Sequence, residues 1–219
     1  MGELVFLEPN SIKAVPFTTS KVIAEFTGVG HRHIKKQISL HKLSLETFGL
    51  LVAHETESTG GRPEEITLLN EQQSTLLVTF LKNTPVVVDF KTELVRQFYE
   101  MRTELQKRQI GKMTLKPTRK PLMDGIKENP NRSEWDYKLF TDLSYKMALG
   151  KIAAKIRKER GASKKAVALD YMTSEELNLV ESITNKIAVL YEMGLDYYQI
   201  KDMLERSRER NKERLIGGV

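Results

Sequence analysis

The chain has 219 residues, 40% hydrophobic and 29% charged, with a net charge of +6, which suffices for one large domain or two modest ones. It contains no cysteine, which excludes disulfides, thiolate metal sites and thiol nucleophiles. No stretch approaches the ~18 apolar residues of a membrane span, and MGELVFLEPN lacks a basic start and a long apolar run, so a cytoplasmic protein without membrane contact is expected. The excess positive charge favours polyanionic partners.

In chain order, Leu4 to Leu7 and Ile12 to Phe17 read as short strands around the turn Pro9-Asn10. A helix is predicted from Thr19, whose hydroxyl can cap it, with Val22, Ile23 and Phe26 on one face and Gly28 as a left-handed stop. A second helix is predicted over His31 to His41, after a connection short enough for a helix-turn-helix. Leu50 to Glu55 and Glu65 to Leu69 then read as a hairpin with a polar tip from Ser58 to Pro63. Asn70 with Gln73 forms a capping-box pattern. Thr84-Pro85 opens a long amphipathic helix to Leu105, carrying Val87, Phe90, Leu94, Val95, Phe98 and Met101.

From Gln106 to Pro121 the composition shifts to six basic residues, no acids and two prolines, which reads as a linker. Helices follow over Ser133 to Leu149, Lys151 to Arg160, Thr173 to Met193 and Asp196 to about Arg210. Gly161 and Gly194 serve as stops, and Thr173/Glu176 and Asp196/Gln199 as capping boxes. Leu177, Val180, Ile183, Ile187 and Leu190 mark a buried stripe, and Trp135, one turn before Leu139, is expected in the core. The fold class is therefore mainly α with a small β-hairpin. It comprises a winged helix-turn-helix-like domain over 1–106, a basic linker over 107–121, a helical domain over 122–210 and a tail over 211–219.

The second helix, HRHIKKQISLHK, is the most informative segment. Ile34 and Ile38 set its buried direction, which turns Arg32, Lys36 and Ser39 outward and Lys35 to one flank. Cations for phosphates, with an arginine able to grip a guanine edge, are what a recognition helix needs. The same residues also fit a solvated basic face. Candidate DNA contacts are Thr19, Ser20 and Lys21 at the preceding helix start, Arg32, His33, Lys35, Lys36 and Ser39 on the second helix, and Arg62 at the hairpin tip. His31 is expected to be packed and hydrogen-bonded, orienting the turn. A second basic patch comprises Lys151, Lys155, Arg157 and Lys158, with Ile152 and Ile156 anchoring one face.

His31 and His33 stand two apart, a spacing that does not face two ligands together on a helix, so no metal is expected. No phosphate-binding glycine loop, nucleophile elbow or paired-histidine motif occurs. Neither an enzyme nor a cofactor is expected.

The stretch TTSKVIAEFTGVGHRHIKKQI, then ITLLNEQQSTLLVTFL, then FKTELVRQFYEMR resembles the Rha family of phage regulatory proteins. The resemblance rests on Ser20, Ile23, Ala24, Glu25, Gly30, His31, Ile34 and Ile38, then Leu68, Thr75, Leu77 and Val78, and finally Lys91, Val95, Phe98 and Met101. It covers about the first half; the Lys21-Val22 pair and the Gly60-Gly61 tip depart from the pattern. The second half, through LFTDLSYKMALGK, resembles the helical trailer of some Rha-like proteins of Gram-positive phages. The resemblance implies control of phage development in a bacterial host. The expected function is a sequence-specific transcriptional regulator bound to double-stranded DNA as a homodimer. The alternative is an antirepressor that captures a phage repressor protein.

Overall fold

The computed structural model describes residues 2–55 and 64–216. The chain divides into two compact units, Met1–Thr103 and Glu104–Val219.

In the first unit, strand β1 (Phe17–Thr19) leads into helix α1 (Ser20–Thr27). The helix starts there because the Thr19 hydroxyl accepts the Val22 amide at 3.1 Å. It ends at Gly28, whose φ of 69° is a backbone state that glycine reaches without steric cost. Three residues later α2 (His31–Leu40) begins, and the short α3 (Lys42–Glu46) follows it. Strands β2 (Val52–Glu55) and β3 (Glu65–Asn70) pair antiparallel, and β1 adds to the other side of β3, giving the order β1-β3-β2. The Asn70/Gln73 capping box is formed in both directions and opens α4 (Glu71–Thr79). Ile23, Ile34, Leu45, Leu69, Leu77, Phe90 and Leu94 fill the core with no exposed surface, each worth about 1.5–3 kcal/mol.

The segment before β1 departs from expectation. Residues 4–7 make a single bridge, in which Phe6 and Phe17 exchange backbone bonds of 2.7 and 2.9 Å. The arm is held instead by Gln97, whose Oε1 accepts the amides of Leu4 and Val5 at 2.7 and 3.3 Å. The same side chain donates through Nε2 to the Gly2 carbonyl at 3.0 Å.

The predicted linker is helical. Helix α5 runs without interruption over Pro85–Glu128, with Pro117 and Pro121 inside it. A proline inside a helix costs about 3 kcal/mol, and burial of Leu115, Leu122 and Ile126 on one face offsets that cost. Both prolines sit on the exposed side. Three of the six basic residues of this stretch have partners within the unit: Lys112 pairs with Asp170, Arg108 with Glu104 at 2.9 Å, and Arg119 with the Tyr145 hydroxyl at 3.1 Å.

The second unit continues with α6 (Asp136–Leu149), α7 (Ala153–Glu159), a short 3-10 turn (Ala168–Tyr171), α8 (Ser174–Glu192) and α9 (Tyr197–Ile216). Reciprocal caps form at Thr173/Glu176 and at Asp196/Gln199. Gly150, Gly161 and Gly194 take the left-handed state where helices stop.

Two hydrophobic assignments are corrected. Trp135 is 62% exposed rather than core, because Phe140, Leu143 and Met147 set the buried face of α6 and Trp135 lies about 140° round from Phe140. Ile152 is also exposed: it is the extended residue before α7, and Ile156 alone of the pair is buried. No helix among the described residues is long and apolar enough to cross a membrane.

Candidate nucleic-acid interface

The first turn of α1 and the start of β3 are joined by a side-chain chain centred on His31. The Thr67 amide donates to the Ser20 hydroxyl at 3.0 Å, and that hydroxyl lies 2.9 Å from His31 Nε2. On the other side of the ring, Nδ1 stands 2.6 Å from a Glu64 carboxylate oxygen. With the proton on Nδ1 every partner is matched: Nδ1–H donates to Glu64 and Ser20 donates to Nε2. His31 is thus the expected orienting residue, fixing where α2 begins. At the other end of α2 the His41 ring stacks on Phe80 at 3.7 Å.

The same hairpin residues hold two of the expected DNA contacts. Lys21 reaches Glu64 at 3.4 Å, and Lys35 reaches Glu65 at 2.8 Å. The Glu64 carboxyl is held below its ordinary value first by the hydrogen bond from His31 and then by Lys21. Lys35 does the same for Glu65. Because the folded values are depressed, these contacts are complete above the ordinary value of 4.5 and are lost as pH falls through the lowered ones. At neutral pH Lys21 and Lys35 are therefore clamped.

Arg32, Lys36 and Ser39 remain. Burial of Ile34 and Ile38 turns them into a single exposed stripe along α2. Among the described residues none of the three has an ion pair. His33 is exposed beside them, 3.3 Å from the Gln37 amide. Neither α1 nor α2 has an acid in its own first turn, and Glu64, paired with Lys21 and His31, is the carboxylate set beside both helix starts.

Ser20 requires correction. It is fully buried, and its hydroxyl is spent on Thr67 and His31, so it builds the scaffold and has no surface to offer a phosphate. The Thr19 hydroxyl is half-buried and occupied as the cap. Arg62 lies outside the described residues. In the second basic patch, Glu159 takes Lys151 at 2.6 Å and Lys155 at 4.0 Å. Arg157 and Lys158 occupy the last turn of α7, where cations are stabilised by the helix end itself. Among the described residues no group of three histidine, cysteine or acidic side chains is placed to hold a metal ion.

Sequence reasoning missed the pair Glu64-Glu65. Two adjacent acids opening a strand, in a domain whose second helix is basic, were the available signal. Which lysines they meet depends on how the sheet packs on the helices.

These features define a small domain of helices and sheet: two short helices at a tight turn, a hairpin paired to them, and a basic stripe without ion pairs among the described residues. Residues 18–103, nearly the whole first unit, match the family model of phage regulatory protein Rha. The N-terminal part of the chain is thus similar to the Rha family, and a phage regulatory role is what that match supports. No curated protein matches the chain.

Proposed function

We propose that the chain is a sequence-specific DNA-binding transcriptional regulator of phage development, working in the bacterial cytoplasm. The observation that carries this reading is the stripe Arg32, Lys36 and Ser39, exposed on a short helix and free of ion pairs among the described residues. In this reading α2 lies in the major groove, with Arg32 able to bond a base edge and Lys36 a phosphate. Hairpin β2–β3 is the wing.

The clamp gives an unusual test. The full chain is expected to bind duplex DNA with affinity that falls linearly on a logarithmic salt scale, because phosphate contacts release counterions. The Glu64→Gln/Glu65→Gln variant frees Lys21 and Lys35 and removes two repelling charges. It is expected to bind more tightly, with a slope steeper by about one to two contacts, in fluorescence anisotropy across a salt series. Affinity and slope equal to wild type would place both lysines away from the DNA.

The regulator is proposed to act as a homodimer. Val88, Val95 and Tyr99 are exposed on one face of α5, spaced seven and four residues apart, a seam suited to a second helix. Light scattering is expected to give about twice the chain mass of 25.1 kDa. In a Val95→Glu/Tyr99→Glu variant that keeps its helical content, the mass is expected to fall to a single chain. A wild-type monomer at high micromolar concentration would exclude this pairing.

A second reading, an antirepressor that captures a repressor, is favoured by exposed apolar side chains on α8 and α9. Leu179, Val189, Met193 and Met203 all face outward there.

A further inference from the structure

Within the second unit, the ends of four helices surround a cleft of about 520 Å³. Its lining includes Phe140, Tyr191, Tyr197 and Tyr198, together with Asp136 and Asp196. The rings meet nearly at right angles: Phe140 stands edge-on to Tyr191 at 5.2 Å and 87°, and to Tyr197 at 5.6 Å and 76°. Tyr198 is set at 83° to Tyr197 and is largely exposed at the rim. Asn129 donates to the Tyr191 hydroxyl at 3.0 Å, fixing that ring from behind.

The side-chain charges lining the cleft have one sign, and the helix ends at it cancel. Helices α6 and α9 point their N-termini at it, through Asp136 and Asp196–Tyr198, and α5 and α8 their C-termini, through Gly125–Asn129 and Gly194. Each helix end carries about half a unit charge, so the two positive ends and the two negative ends offset one another. The two aspartates are left over. Each already bonds backbone amides: Asp136 Oδ2 accepts Ser133 at 2.8 Å, and Asp196 Oδ1 accepts Tyr198 and Gln199 at 2.8 and 2.9 Å. For both, these bonds use one carboxylate oxygen and leave the negative charge in place. Among the described residues no lysine or arginine lines the cleft, although the chain carries a net charge of +6. Aromatic rings crossed at right angles beside carboxylates are what recognise an organic cation, through the ring quadrupole and a charge-assisted hydrogen bond.

The geometry points to a binding site for an organic cation, a guanidinium or alkylammonium group, in the cleft between Asp136, Phe140, Tyr191 and Asp196–Tyr198. The site is independent of the DNA reading, which concerns the first unit. The cation comes either from a free small molecule or from an arginine or lysine side chain of a polypeptide, and both share this chemistry.

The test uses the full chain in NMR titrations with arginine methyl ester, its neutral isostere citrulline methyl ester, and acetyl-Gly-Arg-Gly-amide. Arginine methyl ester is expected to give saturable shifts at residues of the cleft, and the citrulline ester none. Asparagine keeps an Oδ1 acceptor at both positions and, at the helix-capping residue 196, caps about as well as aspartate, so Asp136→Asn/Asp196→Asn is expected to keep the circular dichroism and melting of the wild type. Its affinity for the arginine ester is expected to fall about tenfold or more, since two nearby charges are lost. Tyr197→Leu is expected to weaken binding roughly 3- to 30-fold, the range of a cation–π contact. Tighter binding of the peptide than of the ester supports a polypeptide source; binding of the ester alone supports a small molecule. No saturable shift with either cation, equal binding of the citrulline ester, or wild-type affinity in the folded double-asparagine variant would overturn the site.

Discussion

Replacing Arg32 and Lys36 together by alanine is expected to abolish sequence-specific DNA binding while leaving the fold intact. Both side chains are exposed and make no ion pair among the described residues, and such surface changes usually alter stability by no more than about 0.5 kcal/mol. Losing an arginine that grips a base edge costs roughly 1–3 kcal/mol and blurs preference at one base pair. Losing a phosphate lysine weakens all sequences alike and lowers the salt slope by about one contact. The single variants therefore separate the two roles, read by competition against a panel of duplexes. Ile38→Ala supplies the opposite pattern. That side chain is buried, and the cavity is expected to cost about 2–5 kcal/mol of stability in denaturant titration. Wild-type affinity in the Arg32→Ala/Lys36→Ala variant would sink the groove-docking model and bring the antirepressor reading forward.

The second large effect is expected inside the second unit. Asp170 is only 3% exposed, on the 3-10 turn before α8, and pairs with Lys112 of α5. Removing one partner of a buried pair takes away its attraction while the other charge stays desolvated, which costs more than the pair itself contributes. Lys112→Met is therefore expected to destabilise the unit by about 3 kcal/mol. Lys112→Met/Asp170→Asn removes both charges and keeps a polar group of the same shape at residue 170. It is expected to recover most of that loss in thermal or urea melts. A double variant no more stable than Lys112→Met would assign the cost to lost packing of the lysine stem.

The parts of this fold that were legible in the sequence are those settled within a few residues. The caps at Asn70/Gln73, Thr173/Glu176 and Asp196/Gln199 close on groups three positions apart. Gly28, Gly161 and Gly194 act where they stand. The face of α2 followed from Ile34 and Ile38 alone. What was misread depended on distant partners. The stretch 106–121 looked like a linker because its charges and prolines are local, whereas Asp170 and Tyr145, which engage it, lie 58 and 26 residues away. Ser20 looked like a surface hydroxyl because its partner amide, Thr67, is 47 residues off. Trp135 was assigned from size, without the helical phase that Phe140 and Leu143 impose. For the candidate interface, the basic stripe could be read and the acidic clamp could not, since Glu64 and Glu65 meet their lysines only across the packed domain.

The grip of Gln97 on the N-terminal arm also sets an order of events during synthesis. Leu4 and Val5 are buried, yet the side chain that receives their amides stands 93 and 92 residues later. At about 5–20 residues per second, a ribosome needs roughly 5–20 s to reach it. During that interval two strongly apolar residues at the leading end of the chain have no partner from α5. The arm is made well before the side chain that secures it, so a chaperone that meets the chain in that interval finds Leu4 and Val5 without their α5 partner.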